Sequence, residues 1–300
     1  MGTLKDLFDL IKNGPQQETS EISDSRIKQL REKLSKSGTL GKSIVDAAIK
    51  QGIVFCTDTD MGNKSGAYIP ATRMIVLNSN MSDDILLATM VHESRHSLQP
   101  HGYSHSDTVK SALTVNRAME ADAMAFECAA VVEMKTSEPG AYKEFKTHHP
   151  VITDCYEKEL SASKDPFKAL GKAFEAWYEN GAYVNQYDAA VLNFMSLGSI
   201  YRGAYKYERP ALEVSEKVCS FFGKSYMPAS FFSSSKALTV SYSTAQRGAE
   251  IEKHHIRHFL RKPKETSLSL MYVRMPNGEI KTPERLIVST AINLRKRLER

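Results

Sequence analysis

The residues best placed to do chemistry are His92, Glu93 and His96, in the run Val91-His92-Glu93-Ser94-Arg95-His96-Ser97. Two histidines four apart on a helix lie one turn above each other on the same face. Imidazoles in that arrangement bind one Zn²⁺ from one side, and Glu93 beside the first can take a proton from a water the metal activates. The flanks fit a helix. Ser82 is a candidate N-cap, Asp83 and Asp84 suit the positive end of the helix dipole, and Pro100 stops the helix. The stretch Ile85 to Val91 is apolar, which predicts a buried helix. Charged and imidazole side chains on a buried helix need partners, and a metal supplies them.

Two histidines do not complete a catalytic zinc site, which usually has three protein ligands. A third histidine at the HExxHxxGxxH spacing is absent: His101 comes five residues after His96, beyond Pro100. A glutamate from a following helix is the other common solution. Glu120 sits in Arg117-Ala118-Met119-Glu120-Ala121-Asp122-Ala123-Met124-Ala125, where a carboxylate among alanines and methionines is costly to bury unpaired. The small alanines also allow close packing against the HExxH helix.

With these residues the chain resembles the zincin metallopeptidases. It resembles most their gluzincin arrangement, and the minimal bacterial ImmA/IrrE-like domains, in which HExxH is followed by a helix of the form E-A-[ND]-x-F/A-A. His92, Glu93 and His96 match the first motif, and Glu120-Ala121-Asp122-Ala123-Met124-Ala125 matches the second. The similarity covers roughly residues 40 to 136. It implies Zn²⁺ held by His92, His96 and Glu120, with Glu93 as general base in peptide hydrolysis. It also implies a peptide substrate laid as an added strand along Arg73–Leu77, the strand before the helix. One departure is that Met124 stands where larger gluzincins carry an aspartate. The group orienting a ligand histidine must lie elsewhere, and Asp122 and Asn116 are the candidates. Tyr103, His105, Tyr183 and Tyr187 are candidates for a substrate-binding or oxyanion donor; the sequence does not choose among them.

These residues need elements to position them. Alternating and apolar runs predict strands at Ile53–Thr57, Gly66–Ile69 and Arg73–Leu77. Helical patterns cover Ile27–Lys36, Gly41–Gln51, the HExxH segment and a long stretch from Val109 to Lys135. Further helices are expected over Ala141–Phe145, Asp154–Leu160, Pro166–Asn180, Gln186–Ser199, Arg209–Phe222 and Ala249–Arg261. Ala237–Tyr242 reads as a strand, Met271–Arg274 and Gly278–Thr282 as a hairpin turned at Pro276-Asn277-Gly278, and Pro283–Arg300 as a basic helix. The expected class is α+β. Residues 1–23 form an N-terminal helix and linker, 24–140 a compact zincin-like domain with a small sheet, and 141–300 a mostly α-helical C-terminal domain.

Composition bounds the function. At 300 residues with 41% hydrophobic and 25% charged side chains, this is an ordinary globular chain. A net charge of +5 with no dense basic stripe gives no argument for nucleic acid. No apolar run reaches the ~18 residues of a membrane span. The start, Met1 to Lys12, is too short and too charged for a secretory segment. Cys56, Cys128, Cys155 and Cys219 are scattered without a CxxC pair, as in a reducing compartment, so a cytoplasmic location is expected. His254 and His258 are also four apart, but His255 stands where a catalytic glutamate is needed, and the surrounding Lys253, Arg257 and Arg261 read as a solvated basic face. Two alternatives to a housekeeping peptidase stay open: a metal-binding regulatory or interaction protein on a zincin scaffold, and a translocated effector protease. Oligomeric state is not legible.

Overall fold

The computed structural model describes residues 24–100, 102–198, 204–259 and 267–282, without the side chains of 256–259. The helix and linker expected over residues 1–23 and the basic helix expected over 283–300 lie outside the described residues. In chain order the elements are α1 (Ser25–Ser37), α2 (Leu40–Lys50), β1 (Val54–Asp58), β2 (Gly66–Ile69), β3 (Met74–Asn78), α3 (Asp83–Leu98) and α4 (Val109–Glu133). Next come α5 (Pro139–His148), α6 (Pro150–Ser163), α7 (Pro166–Trp177), α8 (Gly181–Gly198), α9 (Ala211–Lys217), β4 (Ser220–Phe221) and β5 (Lys224–Ser225). Last come α10 (Ser235–Leu238), β6 (Thr239–Ser241), α11 (Tyr242–Phe259), β7 (Tyr272–Arg274) and β8 (Ile280–Lys281). Short 3₁₀ turns lie at Ala229–Ser233 and Ser267–Leu270. The architecture is α+β.

Contacts divide the described residues into two compact units that interleave along the chain, whereas the sequence reading divides it consecutively at residue 140. The first unit takes residues within Met1–Pro100, Met119–Glu179 and Ser220–Tyr226. The second takes those within His101–Ala118, Asn180–Cys219 and Met227–Arg300.

In the first unit, local chemistry accounts for every helix start but that of α2, whose Leu40 amide donates to the distant Glu133 carboxylate. Asp24 caps α1, its carboxylate accepting from the amides of Arg26 and Ile27. Ser82 caps α3 by accepting from the amide of Ile85. Pro139, Pro150 and Pro166 each open a helix in the first turn, where a missing N–H costs nothing. The apolar faces Ile27-Leu30-Leu34 of α1, Ile44-Val45-Ala48 of α2 and Leu86-Leu87-Met90-Val91 of α3 are buried, with Ile75 and Leu77 of the sheet. Gly140 lies against α3 so closely that a Cβ there would sit 2.3 Å from the Asp84 carboxylate.

The sheet order is β1-β3-β2, with β1 parallel and β2 antiparallel to β3. This corrects the expectation that Arg73–Leu77 is an edge for an added peptide. That segment is the central strand, bonded on both sides, and the edges are β1 and β2. A second correction concerns Arg209–Phe222, read as one helix. It is helical only over Ala211–Lys217 and ends in the β4–β5 hairpin. Phe222 and Gly223 both take positive φ (48° and 77°), the pattern of a two-residue hairpin turn.

The second unit packs Val109, Leu113, Val191, Leu192, Met195, Val240, Met271 and Val273 into one core. Strand β7 lies between parallel β6 and antiparallel β8, so the hairpin expected at Asn277-Gly278 is present. The buried guanidinium of Arg117 donates twice to Asp188, at 2.8 and 2.6 Å, and to the carbonyls of Ala237 and Thr239. Among the described residues no helix is long and apolar enough to cross a membrane.

Candidate metal centre

Helix α3 presents His92 and His96 one turn apart, and α4 presents Glu120 to them. The Nε2 atoms of the two histidines are 3.0 Å apart, and Oε2 of Glu120 lies 3.8 Å from the first and 3.5 Å from the second. A point equidistant from the corners of that triangle is about 2.0 Å from each atom, the length of a bond from zinc to imidazole nitrogen or carboxylate oxygen. The three side chains are the one His/Cys/Asp/Glu group with metal-binding spacing among the described residues. The donor set and its spacing therefore fit a divalent ion of the zinc type.

The outer nitrogens of the imidazoles are occupied, which turns both Nε2 atoms to the centre. His92 Nδ1 donates to Oε2 of Glu127 at 2.8 Å. His96 Nδ1 donates to Oε1 of Gln99 at 2.8 Å. These partners replace the expected Asp122 and Asn116. Glu127 lies seven residues after Glu120, two helical turns along the same face of α4. Gln99 follows His96 by three, at the end of α3. Either spacing is a readable signal, but neither residue stands four after the ligand glutamate. Asp122 is instead the fully buried partner of Arg95, at 2.6 Å, so Arg95 is a structural ion-pair residue.

Electrostatics reflect the crowding. Burial alone would raise the Glu120 carboxyl, but the imidazoles of His96 and His92 outweigh it and hold the group well below the usual carboxylate range. Burial alone would lower His92, and Glu120 and Glu127 instead raise it well above its ordinary value; His96 is raised in the same way by Glu120. Glu93 sits beside the triad, and its Oε2 accepts from the backbone amide of Tyr68 in β2 at 2.8 Å.

The structure thus brings together His92, Glu93, His96 and Glu120, all in the first unit. Tyr103, His105, Tyr183 and Tyr187 belong to the second unit. Tyr103 packs edge-on against Phe194, and His105 stacks on the same ring. His254 is exposed on α11. His148 pairs with Glu144, and His149 stands between α5 and α6. Trp177, Phe221, Phe231 and Phe232 are buried, whereas Phe222 is exposed at the turn of the β4–β5 hairpin.

Comparison with known proteins agrees with this chemistry. Residues 10–226 match the family described as "Putative metallopeptidase family (DUF6782)". No curated protein and no solved structure matches the chain. The match covers the whole candidate centre and ends at Tyr226, the last residue of the first unit. The chain belongs to this metallopeptidase family.

Proposed function

We propose that this protein is a zinc-dependent endopeptidase of the zincin type, with His92, His96 and Glu120 as metal ligands and Glu93 as general base. The observation that carries the reading is the triangle of two Nε2 atoms and one Oε2 atom around a point at bonding distance, with a carboxylate beside it. A bound zinc ion supplies Lewis acidity, lowering the pKa of a water toward ~7 and polarising a carbonyl. The protein's own groups do the rest. Glu127 and Gln99 keep the imidazoles in the tautomer that offers Nε2. Tyr68 holds one oxygen of Glu93, leaving the other to take a proton and pass it to the leaving amine. The substrate is a protein or peptide, and the edge strand β2, rather than the central β3, is where an extended segment would pair.

The test compares the full-length protein with Glu93→Gln, His92→Ala and Glu120→Ala, measuring zinc per chain and cleavage of an unstructured protein substrate. Wild type should hold about one zinc, since three ligands converge on one point. Glu93→Gln should keep the metal and lose about 10²- to 10⁴-fold in rate, because it removes a base and no ligand. His92→Ala and Glu120→Ala should lose the metal. Full zinc in both ligand variants, or unchanged turnover in Glu93→Gln, would overturn the assignment.

A further inference from the structure

Behind His96 runs a chain of hydrogen bonds that ends far away in sequence. His96 Nδ1 donates to Oε1 of Gln99. The Gln99 amide nitrogen donates to Oδ2 of Asp122 at 2.7 Å and to the carbonyl of Met119 at 2.8 Å. Asp122 also accepts from the Arg95 guanidinium through Nε and Nη2, at 2.6 and 3.1 Å, and its Oδ1 accepts from the hydroxyl of Tyr226 at 2.6 Å. Arg95 Nη2 donates to the carbonyl of Ser220 at 2.7 Å. Tyr226 and Ser220 flank the β4–β5 hairpin. Its Phe221 and Tyr226 rings lie 4.8 and 5.8 Å from that of Phe126 in α4.

A glutamine amide can sit in either of two orientations, and only one serves His96. With two acceptors facing its nitrogen, Gln99 must turn its oxygen to the imidazole. Flipped, it would set its own oxygen against the Asp122 carboxylate and its NH₂ against Nδ1–H. Asp122 and the Met119 carbonyl together set the orientation of Gln99, and Gln99 sets which nitrogen of His96 keeps the proton. Asp122 in turn can hold one orientation because Arg95 and Tyr226 occupy the rest of its oxygens. A further observation ties the hairpin to the centre. Of the described residues after 180, only Ser220–Tyr226 belong to the first unit.

We propose that Tyr226 is a positioning residue for the second histidine, acting through Asp122 and Gln99 to hold Nε2 of His96 toward the metal. This inference rests on the ligand assignment proposed above. The test uses full-length protein and zinc alone, with affinity read by competition against a chromophoric chelator and melting followed on the metal-free form. Gln99→Met keeps the volume and removes the acceptor, and it should weaken zinc binding about 10- to 100-fold. Tyr226→Phe removes only a hydroxyl that never touches a ligand, and should weaken binding several-fold in the same direction. Phe221→Leu loosens the same hairpin and removes a ring 5.4 Å from the Arg95 guanidinium, but breaks none of the relay's hydrogen bonds; it should lower melting and leave affinity within about twofold of wild type. Wild-type affinity in Gln99→Met or in Tyr226→Phe would overturn the relay while leaving the ligand assignment standing. Equal losses of affinity in Tyr226→Phe and Phe221→Leu would reduce the hairpin to a structural support and also overturn it. No zinc bound by wild type would sink the ligand assignment first.

Discussion

The backbone amide of Tyr68 donates to Oε2 of Glu93 at 2.8 Å, so the edge strand β2 holds the proposed base by one of its two oxygens. The approach is possible because Gly66, two residues earlier on the same strand, has no side chain. A Cβ at that position would lie 2.6 Å from Cγ2 of Thr89, 3.1 Å from Cδ2 of Leu77 and 3.3 Å from Cγ of Glu93.

Gly66→Ala should therefore push β2 away from α3. The overpacking is expected to cost about 1–3 kcal/mol of stability, and turnover should fall while zinc content stays at the wild-type level. Thermal melting, metal analysis and a cleavage assay on one preparation check this. Wild-type turnover in a clearly destabilised Gly66→Ala would detach the strand from the base.

Glu127→Ala should weaken zinc binding about 10- to 100-fold, since it removes the acceptor that fixes the His92 ring. Glu127→Gln, which keeps an acceptor but not the charge, should fall between that variant and wild type. Chelator competition gives the order, and an unaltered affinity in Glu127→Ala would remove Glu127 from the centre.

Much of this centre is legible in the chain because its parts are local. The His92/His96 pair, the Ser82 cap and the Pro100 stop all lie within one helix, and Glu120 stands out as a carboxylate among alanines. What was not legible depends on which element lies beside which. Strand order is a tertiary property, so β3 reads as well for an edge as for a centre. Its apolar run Met74-Ile75-Val76-Leu77 reports what covers the faces of the strand, not which strands flank it. The β4–β5 hairpin has strands of two residues, too short for any period, and its partners Arg95 and Asp122 lie about a hundred residues earlier. The histidine partners Glu127 and Gln99 stand at no fixed spacing from the ligands, since any residue on a facing turn can reach an Nδ1–H.

In the second unit, Asp188→Ala should be strongly destabilising. It would strip both carboxylate bonds from the Arg117 guanidinium, which is 1% exposed. Breaking one side of a buried pair costs about 3–5 kcal/mol. Arg117→Met with Asp188→Leu, which removes both charges, should recover much of that loss. Chemical denaturation of the three proteins checks the order, and a mild effect of Asp188→Ala alone would contradict it.

Asp24 offers a pH-dependent test. Partial burial pushes its carboxyl up, but the Thr57 hydroxyl and amide and the amides of Ile27 and Arg26 together hold it below its ordinary 3.8. A group with a depressed folded-state pKa contributes stability above its unfolded value and loses it as pH falls through the folded one. Asp24→Ala should cost about 0.5–2 kcal/mol at neutral pH as a lost helix cap. The difference from wild type should shrink below pH 3.8, as the wild-type carboxyl itself takes up a proton. Denaturation midpoints at neutral and strongly acidic pH check this; a gap that stays constant with pH would exclude the carboxylate as its source.

The same two acidic side chains, taken together, bear on how the molecule avoids sticking to copies of itself. A three-stranded sheet has two raw edges, each a template for another chain. Here the outward amide of Thr57 on β1 is claimed by Asp24, and that of Tyr68 on β2 by Glu93. The first closure is structural, doubled by the Thr57 hydroxyl and tied to a helix cap. The second is a single bond, from the Tyr68 amide to one oxygen of the proposed base. One flank of the sheet is thus tied to Asp24 by two bonds and the other to Glu93 by one, so the substrate strand proposed above would add on the more weakly tied side, next to the proposed base.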